Sequence, residues 1–181
     1  MQSIQTVSEN TIYVGASDRR LAKFENLFPI PRGVSYNAYV ILDEKTALLD
    51  TADASVGAQF LENVAAALDG RKLDYLIVDH MEPDHAAMIE AVLVRWPDLR
   101  LVVNAKTLPM LKMYFPTDSA AIDDALVVKE GDTLDLGKHK LTFVMAPMVH
   151  WPEVMMTFDT TTGTLFSADA FGTFGALEGA L

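Results

Sequence analysis

The chain has 181 residues, enough for one domain or for one domain cut short, and half of them are hydrophobic, so a sizeable core is available and global disorder is excluded. Fourteen Lys and Arg against 25 Asp and Glu leave a net charge of -11, which repels phosphate backbones and anionic lipid heads and argues against nucleic acid or a membrane surface as partner. With no Cys, no span-length apolar run and no signal-peptide pattern in MQSIQTVSEN, thiolate chemistry and disulfide scaffolds are excluded and a soluble cytoplasmic protein is expected.

The first third reads as short strands. Thr11–Val14, Ala38–Leu42 and Ala47–Leu49 are β-branched or apolar runs, and Asp43-Glu44-Lys45 reads as a hairpin turn. Residues 56–68 then carry Phe60, Val64, Ala67 and Leu68 at helical spacing, with Ser55 as N-cap and Gly70 as stop. Tyr75–Val78 is a continuous apolar run suited to a strand buried on both faces. Ala86–Val94 looks helical, ended by Trp96-Pro97. Leu101–Val103 is another buried strand and Thr107–Tyr114 a short helix. Leu126–Val128, Thr133–Leu136, Lys140–Met145, Val154–Phe158 and Thr164–Ser167 read as strands joined by turn residues. Strands, then βαβ units, then strands again predict an α/β layered protein with a mixed sheet.

The window Asp79-His80-Met81-Glu82-Pro83-Asp84-His85 holds three carboxylates and two of the four His. It directly follows the Tyr75–Val78 strand, and the carboxyl ends of strands are the favoured place for sites in open α/β sheets. No Lys or Arg occurs between Lys72 and Arg95. Crowded like charges are costly without a cation among them, and a bound metal supplies one. His80 and Glu82 can grip one ion, and Asp84 and His85, beyond the turn-forming Pro83, a second. Each His would give its other ring nitrogen to a supporting acceptor. Taken singly, each residue has a plainer reading. Asp84 fits the N-cap of the following helix, Asp79 a local cap or pair, Glu82 a solvated loop carboxylate, and either His a hydrogen-bonded structural residue.

Two further segments offer donors. His150 stands in the Pro-bounded loop 146–153, after a strand, where a loop His packed on Trp151 is the plain alternative. Asp169 ends the apolar Thr164–Ser167 strand, where a turn or cap Asp is the plain alternative. His139, between Lys138 and Lys140, reads as a surface residue. Met81, Met148, Trp151 and Phe171 are candidates for an apolar shell, although core packing is their commoner role.

HMEPDH at 80–85, HWPE at 150–153 and SADAFG at 167–172 resemble the metallo-β-lactamase fold, and specifically the diiron domain of flavodiiron proteins. SYNAYVILDEKTALLDT at 35–51 resembles that family's opening strands, and FGTFGAL at 171–177 its continuation past the bridging Asp. The resemblance implies an αββα sandwich. It implies that His80, Glu82 and His150 bind one iron, that Asp84 and His85 bind another, and that Asp169 bridges them. A carboxylate at Glu82, where zinc hydrolases of this fold usually carry His, favours iron over zinc. The family draws one more His for the second iron from downstream, and no His follows His150 before Leu181. Residues 1–181 are therefore expected to be the front part of a diiron domain without the FMN-carrying flavodoxin domain.

The implied function is binding of O₂ or NO at a non-haem diiron site and its reduction with electrons from an external flavoprotein or rubredoxin-like donor. FMN would enter only through that partner or a missing domain. A homo-oligomer or a complementing chain is expected to cover an open sheet face. Two alternatives share the motif: a dinuclear zinc hydrolase, in which the metals generate hydroxide, and an O₂-binding or sensing module without turnover.

Overall fold

The computed structural model describes residues 3–116 and 119–177; Leu181, named above, lies outside the described residues. The chain opens with short strands: β1 (Gln5–Ser8), β2 (Thr11–Tyr13), β3 (Ala16–Asp18), β4 (Lys23–Phe24), β5 (Phe28–Pro29), β6 (Val34–Tyr36), β7 (Tyr39–Leu42) and β8 (Thr46–Leu49). A single 3₁₀ turn, Ala54–Val56, leads into α1 (Gly57–Leu68), followed by β9 (Tyr75–Ile77), α2 (Pro83–Ala86), α3 (Ile89–Arg95), β10 (Arg100–Asn104), α4 (Thr107–Tyr114) and α5 (Ser119–Asp123). Five strands complete the described chain: β11 (Leu126–Val128), β12 (Thr133–Asp135), β13 (Lys140–Met145), β14 (Met155–Asp159) and β15 (Thr164–Phe166).

The main sheet has the order β1-β2-β7-β8-β9-β10-β11. Its first half is antiparallel and β8 through β11 run parallel, with Leu49 opposite Ile77 and Ile77 opposite Val102. The mixed sheet expected from the sequence is therefore present. A second, wholly antiparallel sheet runs β12-β13-β14-β15.

The uninterrupted apolar runs follow from burial on both faces. Val40, Leu48, Leu76, Leu101 and Val103 point into one core with Phe60 and Val64 of α1, Val92 of α3 and Leu111 of α4. Their neighbours Ile41, Ala47, Leu49, Ile77 and Val102 point the other way, against Leu141, Phe143, Met155 and Phe166 of the second sheet. Along β13 the alternation returns: Leu141 and Phe143 are buried while Lys140 and Val144 are exposed. The layers among the described residues are thus helices, sheet, sheet. No described helix is long and apolar enough to cross a membrane.

Four expectations are corrected. Ser55 does not cap α1; it lies inside the 3₁₀ turn, and Asp53 caps that turn by accepting from the Ser55 N–H at 2.7 Å. The helix expected over 86–94 is two helices, because Pro83 starts a four-residue turn at α2 and a second helix restarts at Ile89. Asp84 is not an N-cap; that position is Glu82, and Asp84 sits in the first turn of α2. His139 is not a surface residue. It is 1% exposed, and its Nδ1 lies 2.8 Å from Asp159 Oδ2. The partner lies 20 residues downstream on β14 and meets the ring only once β13 and β14 pair.

The helical layer depends on side chains such as Phe60, which is fully buried. Phe60→Ala should lower unfolding free energy by about 3–5 kcal/mol, read from urea unfolding followed by circular dichroism. A loss under about 1 kcal/mol would show that α1 contributes little to the core.

Candidate metal centre

The donors arrive from four places along the chain, each just beyond a strand. Asp50 follows β8, the 79–85 segment follows β9, His150 lies in the loop between β13 and β14, and Asp169 follows β15. Buried strands end together at one edge of the sandwich, so residues 119 positions apart in sequence reach one place. Pro83 at the start of α2 turns the chain so that Glu82 precedes the helix and Asp84 and His85 lie on its first turn.

Two groups of donors share one residue. His80, Glu82, His150 and Asp169 each offer a ligand atom within 4.8 Å of the others, and so do Asp84, His85 and Asp169. His80 Nε2 lies 3.1 Å from Glu82 Oε2, and His150 Nε2 lies 2.8 Å from that oxygen and 3.2 Å from Asp169 Oδ2. His85 Nε2 is 2.8 Å from Asp169 Oδ1 and 3.6 Å from Asp84 Oδ2. Asp169 therefore turns one oxygen to each group. All six side chains singled out in the sequence converge here. Met81 is buried beneath them, and Trp151 meets His80 edge-on at 5.3 Å. Met148 and Phe171 are exposed, so they do not close an apolar shell.

A second layer of acceptors holds the imidazoles. His80 Nδ1 donates to Glu153 Oε1 at 2.8 Å, and the same oxygen accepts the Met81 N–H at 3.0 Å. His85 Nδ1 donates to Asp50 Oδ2 at 3.0 Å, while Asp50 Oδ1 accepts the Asp79 N–H at 2.7 Å. Asp79 accepts from the Thr157 hydroxyl at 2.8 Å, tying the segment to β14. The sequence reading missed Asp50 and Glu153 as orienting groups. Each carried a signal: Asp50 is an acid ending the apolar run 47–49, as Asp79 ends 75–78, and Glu153 stands in the HWPE motif itself.

The charge balance of the cluster is unusual. The paired contacts of Glu82, Asp84 and Asp169 are with imidazoles, and no Lys or Arg joins them among the described residues. Asp84 Oδ1 is buried with no hydrogen-bond partner. Three imidazole nitrogens and three carboxylates, one of them with an orphaned oxygen, are a donor set that fits two divalent cations.

The titrations show the same strain. Burial opposes the charged form of His80, but Glu153 and Glu82 outweigh it and hold the ring up at about 9. Burial likewise opposes a charged His85, and Asp169 and Asp50 raise it nonetheless. Burial pushes Asp84 up to about 6. Asp169 resists burial through its hydrogen bond from His85 and falls to about 2. A folded His80 above its usual 6.5 contributes stability below that pH, and the contribution is lost as pH rises through about 9. A raised Asp84 loses stability as pH rises from its usual 3.8 to about 6, and that cost persists above it. The His80 loss follows at higher pH, so chelator-treated protein should show a falling urea midpoint between about pH 6 and 9, and added metal should flatten that slope. A midpoint rising with pH would contradict this electrostatic account.

Comparison with known proteins agrees with this geometry. Residues 34–179 match the model of the ODP family beta lactamase. The chain is 37% identical over 168 residues to the anaerobic nitric oxide reductase flavorubredoxin of Klebsiella pneumoniae, covering 92% of this chain and 34% of that one. It superposes on rubredoxin oxygen:oxidoreductase from Desulfovibrio gigas with a TM-score of 0.90 and 31% identity, over 97% of this chain and 43% of that one. The flavodiiron protein from Giardia intestinalis matches with a TM-score of 0.90 at 28% identity, over 98% of this chain and 42% of that one. This chain thus spans less than half the length of each of these relatives. It belongs to the ODP family of beta-lactamase domains, and its fold is that of the front, metallo-β-lactamase-like domain of flavodiiron proteins.

Proposed function

We propose that this chain carries a non-haem diiron centre and, supplied with electrons by a separate donor, reduces O₂ or NO. The observation that supports this reading is the convergence of three imidazoles and three carboxylates in two groups that share Asp169, without a cationic side chain. His80, Glu82 and His150 would hold one iron, Asp84 and His85 the other, and Asp169 would bridge. Glu82 in a place where a third neutral imidazole would suit zinc makes the set more anionic and harder, which favours iron. When bound, the metal pair supplies open coordination positions and shares the electrons needed to split or couple a diatomic molecule.

The protein's own residues prepare that site. Glu153 accepts a hydrogen bond from the Nδ1–H of His80, and Asp50 from that of His85, so both rings are fixed with Nε2 toward the carboxylates. Asp79, itself raised by burial and by Asp50, stays bonded to Thr157 and keeps the segment in register. The Trp151 edge covers one side of His80. The Desulfovibrio relative's name couples oxygen to rubredoxin and the Klebsiella relative's couples nitric oxide to a flavorubredoxin. A flavoprotein or rubredoxin-like donor is accordingly the expected partner here, and FMN would act from that partner.

Metal analysis and a visible spectrum of anaerobically purified protein test the reading. Two irons per chain are expected, with turnover of O₂ or NO once a reduced donor is supplied. Two zinc ions with hydrolysis of an ester or lactam would overturn it, and oxygen-dependent spectra without turnover would mark a binding module instead. Glu82→His should shift the bound iron-to-zinc ratio toward zinc. Glu153→Leu should weaken metal binding by about 10–100-fold in a competitive chelator titration, because His80 loses its orienting acceptor.

A further inference from the structure

Asn104 stands at the carboxyl end of β10, the strand that runs parallel to β9, and it offers no ligand atom to either donor group. It is buried, and both ends of its amide are bonded. Oδ1 accepts the Lys106 N–H at 2.8 Å and the Thr107 N–H at 3.1 Å, which turns the chain from β10 into α4. Nδ2 donates to the Glu153 carbonyl at 2.5 Å, 49 residues downstream. Two N–H groups on one side and a carbonyl on the other fix which end of the amide is which.

That carbonyl belongs to the loop between β13 and β14, which also carries His150. Bonds within the loop set its shape: the Ala146 N–H donates to the Val154 carbonyl at 2.9 Å and the Met148 N–H to the Trp151 carbonyl at 2.8 Å. They do not place it over the centre. Placement comes from ties to other elements. The Glu153 carboxylate meets His80 and the Met81 N–H, and the turn after β10 reaches the loop twice, through Asn104 and through the Lys106 ammonium, 2.9 Å from the Pro152 carbonyl. The Lys106 bond is exposed and competes with water, whereas the Asn104 bond is buried and leaves a carbonyl unmatched if it is removed.

We propose that Asn104 is a positioning residue of the metal centre: its amide pins the ligand loop by the Glu153 carbonyl, and thereby places His150 and keeps the Glu153 carboxylate against His80. The inference rests on the reading of the cluster as a metal centre. Its effect is confined to one half of that centre. His80 and His150 both belong to the group completed by Glu82 and Asp169, and both depend on the loop. In the other group His85 is held by Asp50, which follows β8, and Asp84 lies on α2, so neither needs the loop. Loss of the Asn104 donor should therefore weaken one cation and spare its neighbour.

The test uses Asn104→Asp, which keeps Oδ1 as acceptor for the start of α4 but turns an acceptor toward the Glu153 carbonyl. Leu111→Ala, which removes a fully buried side chain of α4, is the control for a loss of stability alone. Each protein is titrated anaerobically with cobalt(II) against a competing chelator, followed by the visible bands of the bound ion. Removing an orienting acceptor costs about 10–100-fold in metal affinity, and Asn104 acts one bond further out, so one of the two binding steps should weaken about three- to thirtyfold in Asn104→Asp while the other stays within about twofold. Leu111→Ala should lower the thermal midpoint and leave both steps in place. In metal-free protein, amide hydrogen exchange across residues 146–154 should be faster in Asn104→Asp than in Leu111→Ala. Should Asn104→Asp not fold, Asn104→Ser, which retains a capping oxygen but is too short to reach the Glu153 carbonyl, reads the same titration. Two unchanged steps, two steps weakened equally, or the same asymmetric loss in Leu111→Ala would overturn the inference and leave the metal reading intact. A wild-type protein that takes up no metal would overturn both.

Discussion

Acidic groups held close together out of water are the constraint on which the rest of this structure depends. Glu82 and Asp79 are almost fully buried, Asp84 has an oxygen with no partner, and Asp169 turns both oxygens inward. In a low-dielectric setting such a group is tolerated only where positive charge or hydrogen-bond donors offset it. Here the offset comes from His80, His85 and His150, each of which is locked against a carboxylate. A divalent pair would replace those protons with stronger and fixed positive charge, and would couple metal binding to folding stability through the same atoms.

The layered fold supplies the rigidity this arrangement needs. Strands β8 and β9 lie side by side and are buried on both faces, so Asp50 and Asp79 emerge next to each other from a sheet that cannot shift. The second sheet brings Glu153 and Thr157 from the opposite layer, and these two residues bond to the 79–81 segment across the sandwich. The imidazoles are therefore oriented by acceptors from both sheets. A change in how the sheets pack would move the donors apart before it exposed the core.

Net charge and the donor set bear on what the site can take. The chain carries -11 overall, and the cluster joins three carboxylates to three imidazoles. A negative surface disfavours anionic ligands, and a mixed carboxylate and imidazole set suits hard or borderline divalent cations. The match to flavodiiron relatives over most of this chain is consistent with that combination.

Much of the fold was legible in the sequence because its signals are local. Two-sided burial makes Ala47–Leu49, Tyr75–Val78 and Leu101–Val103 continuous apolar runs, and the HMEPDH window concentrates charge within one turn. Those features determined the α/β class, the mixed sheet and four of the six candidate donors, and His150 and Asp169 were marked by their own places just after strands. What the sequence alone left open concerned partners distant in the chain. His139 reads as a surface residue until Asp159, 20 positions away, is brought against it. Asp50 and Glu153 look like ordinary loop acids until they meet His85 and His80, 35 and 73 positions away. Periodicity and short motifs report what a residue's neighbours in sequence require. Which carboxylate orients which imidazole is decided by the packing of two sheets, and no local pattern encodes it.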